Sequence, residues 1–197
     1  MKYLITILLL IAPLLSMDVF DKLEQIEQHE NYFEKGKQYY KERNYTKAYE
    51  YFEKAAQLGN QKALYNIGVI YSNKNYHRQD FKKAYDIFYN LAQKGHAPSQ
   101  NRVGMHLSLG LGVDKDYKQA VSWYEKASKQ HYITAQCNLA MMYAAGKGVF
   151  PNFGRAHLFA KPGVEQGHPI CEKVWEDYNL EKYPEDKGFK FQFYTKP

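Results

Sequence analysis

The strongest constraint on this chain is an internal period. Ala48, Ala84, Ala120 and Ala156 stand 36 residues apart, and Gly59, Gly95, His131 and Gly167 follow at the same interval. Gly68, Gly104 and Ala140 form a third column, and Ala63, Ser99, Ala135 and Cys171 a fourth. A unit of this length cannot bury its apolar face alone, so neighbouring units must stack. Inside a unit the spacing is helical. Leu64, Ile67, Gly68 and Tyr71 fall at i, i+3, i+4 and i+7, and Ala84, Ile87, Phe88 and Leu91 do the same. Ala120, Trp123, Tyr124 and Ala127 repeat the device. Small residues in a fixed column let helix backbones approach, and aromatic rings beside them fill the groove. That assigns a role to the 19 tyrosines among 197 residues: amphipathic rings packed along the seams. The expected fold is all-α, built from about four helical hairpins.

Between paired helices lie Gly110-Leu111-Gly112-Val113 and Gly146-Lys147-Gly148-Val149, again 36 apart. A phosphate-binding loop needs a preceding strand and a longer glycine spacing, and neither is present. These segments read as turns whose glycines take positive φ after a helix end, with the valine returning toward the core.

Ile67-Gly68-x-x-Tyr71, Gly110-x-Gly112-Val113 and Ala120-x-x-Trp123-Tyr124-x-Lys126-Ala127 resemble the Sel-1-like repeat family, a relative of the tetratricopeptide repeats. The resemblance implies a right-handed α-solenoid and covers residues 61–167 as three units. Residues 17–60 hold an N-terminal helix and a first unit with a shorter loop. In that unit Gly36, Tyr39, Ala48, Phe52 and Ala55 resemble a tetratricopeptide unit. The second unit carries Asn73-Lys74-Asn75-Tyr76 in place of the Gly-x-Gly turn. The fourth places Pro162 in a helix interior, where the lost bond to Leu158 predicts a kink or an early end.

The ends differ from the repeats. Residues 1–16 read as an export signal: Lys2 precedes the mainly apolar stretch Tyr3–Leu15, too short for a bilayer that needs roughly 20 apolar residues. An uncleaved anchor and a buried core helix are the competing readings. Phe20, Leu23 and Ile26 form an apolar strip on the long first helix. Residues 168–181 read as a capping helix with Val174, Trp175 and Tyr178. In the tail, 182–197, Phe189, Phe191 and Phe193 alternate with Lys190, Gln192 and Tyr194, a period of two that suits an extended segment. It either packs along the last hairpin or is offered to a partner strand.

Two cysteines exclude a zinc ribbon and a disulfide-rich miniature. Cys137 and Cys171 lie nearly one period apart on neighbouring first helices, where export would allow a disulfide and a buried free thiol fits equally. His96, His131 and His168 sit in or beside the inter-repeat turns, as caps or solvated groups. No residue spacing picks out a catalytic set, and no metal or cofactor is expected. The net charge of +6 is dispersed without a basic stripe, which disfavours nucleic acid. No membrane span is expected once the signal is cleaved. By analogy with tetratricopeptide repeats, the first helices line a concave face bearing Phe33, Lys37, Tyr40, Lys62, Tyr65, Val69, Asn101, Met105, Ser108, Cys137 and Met141, part of them engaged in hairpin packing. This mixture suits another protein or a peptide.

The resemblance implies a non-enzymatic scaffold or adaptor, here in the bacterial periplasm or secreted. It also implies two alternatives. One is a periplasmic immunity protein that neutralises a secreted antibacterial effector. The other is penicillin binding or β-lactam hydrolysis, which belongs to a branch with cysteines paired inside each hairpin, a pairing this chain lacks.

Overall fold

The structure, a computed structural model, describes residues 17–190. Residues 1–16, where an export signal is expected, and the tail positions Phe191, Gln192, Phe193 and Tyr194 lie outside the described residues, as does the side chain of Phe20. Every regular element among the described residues is helical. The chain divides into two compact units, one ending at Gln79 and the other beginning at Asp80.

The first unit holds α1 (Met17–Lys41), α2 (Tyr45–Gln57) and α3 (Gln61–Tyr71), each packed on the next. Gly36 lets α1 approach α2 closely: a Cβ there would lie 2.5 Å from the Phe52 ring. Phe33 completes the seam, its ring 5.7 Å from that of Phe52. The departure at Asn73–Tyr76 has a physical reason. In place of a glycine turn, Tyr76 turns inward and is almost fully buried, its ring 6.2 Å from Tyr49 and 6.1 Å from Tyr71. The Tyr49 hydroxyl donates to Glu53 Oε1 at 2.8 Å and receives a bond from Tyr71 at 3.4 Å. Burial, followed by these partners, pushes the Tyr49 hydroxyl far above the usual tyrosine range. At the N-terminus the expected apolar strip is only partly covered: Leu23 is half-buried and Ile26 is 52% exposed.

The second unit holds α4 (Phe81–Gln93), α5 (Ala97–Leu109), α6 (Tyr117–Ser128), α7 (Ile133–Ala145), α8 (Phe153–Val164) and α9 (Pro169–Asp177), packed in sequence. Gly104 of α5 admits the Tyr124 ring of α6, which a Cβ would approach to 2.6 Å. Thirty-six positions on, the pair is Ala140 and Ala160: an alanine stands where its partner is small and a glycine where it is a tyrosine. Tyr89 and Trp123 form the ring contact between α4 and α6, 5.6 Å apart.

Helix ends repeat as faithfully as helix faces. Asn44, Asp80, Asp116 and Asn152, spaced by 36, each cap a second helix by accepting the backbone N–H three residues on, at 2.9–3.2 Å. Gly59, Gly95, His131 and Gly167 all take positive φ past the preceding helix, so His131 occupies a left-handed position at φ 59°. The Gly-x-Gly loops are turns, as read. Gly112 and Gly148 have φ of 69° and 72° and lie against the backbone at Phe81–Lys82 and Tyr117–Lys118, where a side chain would collide with main chain. One bond closes both loops, Asp116 N–H to Leu107 O at 2.9 Å and Asn152 N–H to Tyr143 O at 3.0 Å.

Pro162 does not end α8 early. The helix runs Phe153–Val164, the same twelve residues as Tyr117–Ser128 one period before. Pro162 forfeits one bond near the C-terminal end, while the enclosed Phe159, Ala160 and Gly163 hold the last turn in place.

Past α9, a 3₁₀ turn at Leu180–Lys182 buries Leu180, and residues 183–190 run back over α8 without strand pairing. Phe189 sits 6.1 Å from Tyr143 and 5.3 Å from Phe159, with Arg155 4.8 Å above its ring. Arg155 Nε donates to Asp186 at 2.8 Å, Lys161 pairs with Glu185, and Tyr183 stacks on Phe153 at 4.6 Å. The described part of the tail therefore packs on the last hairpin.

Three outcomes follow. Gly104→Ala costs about 1–3 kcal/mol by overpacking, and less in a Tyr124→Leu background, which a double-mutant cycle by urea unfolding measures. Phe189→Ala, at a half-buried position, costs about 1 kcal/mol in the same assay. The caps Asp80 and Asp116 are held below their ordinary value of 3.8, chiefly by the N–H groups of Lys83 and Gln119. Their contribution is complete above 3.8 and lost as pH falls through the depressed folded values. Replacing both by Asn, which caps without titrating, therefore flattens the acid limb of a stability–pH profile.

Candidate functional site

Helices α5 and α7 present accessible residues at equivalent repeat positions in the second unit. Arg102, Met105 and Leu109 follow one another along α5, and Asn138, Met141 and Ala145 hold the equivalent places on α7, one period later. Each of these six is half-buried or exposed, with Leu109 57% exposed. Beneath them the two helices are tied by Asn138 Nδ2 donating to Asn101 Oδ1 at 2.8 Å. Two flexible thioethers flanked by an arginine and an amide form a surface that adapts to a partner side chain without a rigid pocket.

Several residues expected on an open concave face are enclosed instead. Asn101 is spent on the bond to Asn138, and Ser108 donates to Met105 O at 2.9 Å beside the Tyr124 hydroxyl. Phe33 is the α1 ring that meets Phe52, and Cys137 has no exposed surface. These four are the part of the expected set engaged in packing, and for one reason: a position at the crossing of two helices is claimed by the neighbouring helix before any ligand reaches it. Met105 and Met141 remain accessible in the second unit. In the first, Lys37, Tyr40, Tyr65 and Val69 are half-buried and Lys62 is exposed. Lys37 is paired with Glu34 at 2.9 Å and lies 5.5 Å over the Phe33 ring, and Tyr40 meets Tyr45 edge-on at 5.5 Å. Lys37 also borders an open, polar depression of about 320 Å³ on α1, shared with Asn31, Glu34, Lys35, Gln38 and Lys41.

His106 escaped the sequence reading. It is fully buried against Phe81, Tyr85 and Phe88, and its Nδ1 lies 2.7 Å from Leu111 O, so it donates there and closes the glycine turn from inside. Burial pushes its pKa down, which keeps the ring neutral. The available signal was the column: one period later the same position is Met142, an interior residue. His96 caps α5 and turns its Nδ1 to Ser99 Oγ at 2.8 Å, with burial again lowering its pKa. His131 stands in the glycine column described above.

The histidines do not cluster with one another, but His168 does meet the cysteines. Cys137 of α7 and Cys171 of α9 are joined as a disulfide with Cα atoms 4.7 Å apart. His168, the residue before α9, places Nδ1 3.4 Å from Cys137 Sγ and Nε2 3.2 Å from Thr134 Oγ1. Gly163 of α8 makes room for both sulfurs; a Cβ there would strike Cys171 Sγ.

No described helix is long and apolar enough to cross a membrane. The Sel1 repeat model matches residues 31–60, 61–96, 97–132 and 133–168, so the shorter first unit is matched along with the other three. The fold is similar to the crystal structure of a Sel1 repeat protein from Oxalobacter formigenes, with a TM-score of 0.68 and 22% identity over 80% of this chain and 66% of that one. It is also similar to a protective antigen present in uropathogenic Escherichia coli strains and displaying an SLR fold, with a TM-score of 0.54 and 24% identity over 75% of this chain and 38% of that one. The chain thus spans less than two thirds of the length of either. No curated protein matches it significantly. With four matched repeats spanning most of its length and helix hairpins packed in sequence, this chain belongs to the Sel1 repeat family.

Proposed function

We propose that this protein is an exported, non-catalytic interaction module of the bacterial cell envelope, and that it grips a protein partner through the α5–α7 face. Sel1 repeats generally mediate protein–protein interaction, and this is the coarse function of the chain. The finer reading is supported chiefly by the link between Cys137 and Cys171. Disulfides persist in oxidising compartments and are removed in the cytosol, so a buried bridge between two repeats suits a protein that folds after export. The apolar stretch Tyr3–Leu15 supports the same reading. For the mode of binding, the support is chemical. Met105 and Met141 offer polarizable, unbranched contacts, Arg102 and Asn138 offer directional hydrogen bonds, and Leu109 is an exposed apolar anchor.

Fractionation of cells producing the full chain, followed by intact mass with and without a thiol-alkylating reagent, tests the compartment. The expected product is an envelope-fraction chain, shortened near residue 16, that takes up no alkyl group unless reduced. A full-length cytosolic chain with two alkylated thiols overturns the proposal. The face is tested by in-cell cross-linking. Met105→Arg with Met141→Arg is expected to abolish the cross-linked species while leaving the helical circular dichroism unchanged. Recovery of a single secreted effector in that species would narrow the role to neutralisation, whereas an undiminished species in the double variant would remove the α5–α7 face as the binding surface.

A further inference from the structure

We infer that Cys137, His168 and Cys171 form a redox-gated site for a borderline-soft divalent cation of the zinc class, closed while the disulfide stands and opened by a dithiol reductant. The three ligand atoms, two Sγ and an imidazole nitrogen, all lie within 4.8 Å of one another. They come from three places in the fold, α7, the residue preceding α9, and α9 itself, and Gly163 of α8 gives them space.

The distances favour a cation over a mere cap. With a metal–sulfur bond of about 2.3 Å and a metal–nitrogen bond of about 2.0 Å, a tetrahedral ion holds sulfur and nitrogen about 3.6 Å apart and two sulfurs about 3.8 Å apart. Cys137 Sγ and His168 Nδ1 already stand 3.4 Å apart, so of these two spacings only that between the sulfurs must open. The His168 ring makes no bond to the helix N-terminus it precedes. Instead, Nε2 faces Thr134 Oγ1 at 3.2 Å, the outer partner that lets Nε2 keep its proton and turns the Nδ1 lone pair to the sulfurs. In the same column Asn60 caps its own helix through Ala63 N–H, His96 and Tyr132 make no side-chain cap bond, and His168 reaches back to α7.

The chemistry balances in two steps. One thiolate of a dithiol attacks one sulfur of the bridge and releases the other, and its second thiol then displaces the attacked sulfur from the mixed disulfide. The dithiol is oxidised to its own disulfide, and two electrons and two protons pass to Cys137 and Cys171. The cation then binds both thiolates and the neutral imidazole, releasing the two thiol protons. Three protein ligands leave a fourth position on a tetrahedral ion, available to water or to a ligand from the partner. In the oxidised form the same residues hold α7 and α9 together covalently; in the reduced form the cation does so.

The test uses the full chain reduced with dithiothreitol and freed of it under anaerobic conditions, with Co²⁺ and Zn²⁺ as probes. Expected are one Co²⁺ per chain with a thiolate-to-cobalt charge-transfer band, displacement of that cobalt by Zn²⁺, and no band from the oxidised chain. Thr134→Val weakens binding about tenfold, and Cys137→Ser abolishes the band. A reduced chain that keeps its helical circular dichroism yet shows no band overturns the proposal. So does a band of equal strength and affinity in His168→Ala, or a reduced chain that loses its helicity and does not regain it with either cation.

Discussion

Close approach of paired helices at a column of small residues is the contact on which the rest of this structure depends. At Gly36 and Gly104 the aromatic rings of Phe52 and Tyr124 occupy the place of a side chain, with no room for even one more carbon. That approach sets the helix spacing, and the spacing decides what else can be buried. The rings of Tyr49, Tyr71 and Tyr76 close over one another in the first unit, and Tyr89 meets Trp123 in the second. Where the facing residue shrinks to alanine, the column tolerates alanine, so the two positions vary as a pair. The tyrosine excess is a consequence: a hydroxyl at the end of a packed ring finds Glu53, Tyr71 or Ser108, a partner that phenylalanine could not use.

The ends of the second unit are managed differently from its middle. Interior hairpins are covered by the next hairpin, but α8 has only the short α9 and the returning chain. Phe189 and Tyr183 supply the missing aromatic cover, while Arg155–Asp186 and Lys161–Glu185 supply polar fastening at the rim. Glu125 and Tyr143 are drawn into the same region, and burial raises the pKa of both. The disulfide adds a covalent tie between α7 and α9. A repeat stack needs such caps because its terminal hairpin carries the same apolar face as the others with no neighbour to cover it.

For the site, the division between sequence and structure is instructive. The columns assigned first-helix positions to a binding face, and Met105 and Met141 are accessible there. The same columns could not separate positions facing outward from those at a crossing, since Asn101 and Met105 both sit on the inner side of one helix. Polarity misled as well: Asn101, Ser108 and His106 look like surface residues, yet each is buried with a specific hydrogen-bond partner. The 36-residue series Asn44, Asp80, Asp116 and Asn152 escaped the sequence reading, and the hydrogen bonds of the structure reveal it as the caps of the second helices.

Taken alone, the sequence determined the architecture: the period, the helical spacing within it, the glycine turns and the tyrosine seams. Those properties depend on contacts between residues a few positions or one repeat apart, and such contacts leave a regular trace in the chain. Only the tertiary structure decided that Tyr76 replaces a glycine turn, that Pro162 leaves its helix at full length, and that His168 stands beside both cysteines. For Tyr76 and His168 the deciding factor is a side chain's direction, which a torsion about Cα–Cβ changes, and for Pro162 it is the packing around the last turn; no spacing in the sequence records either.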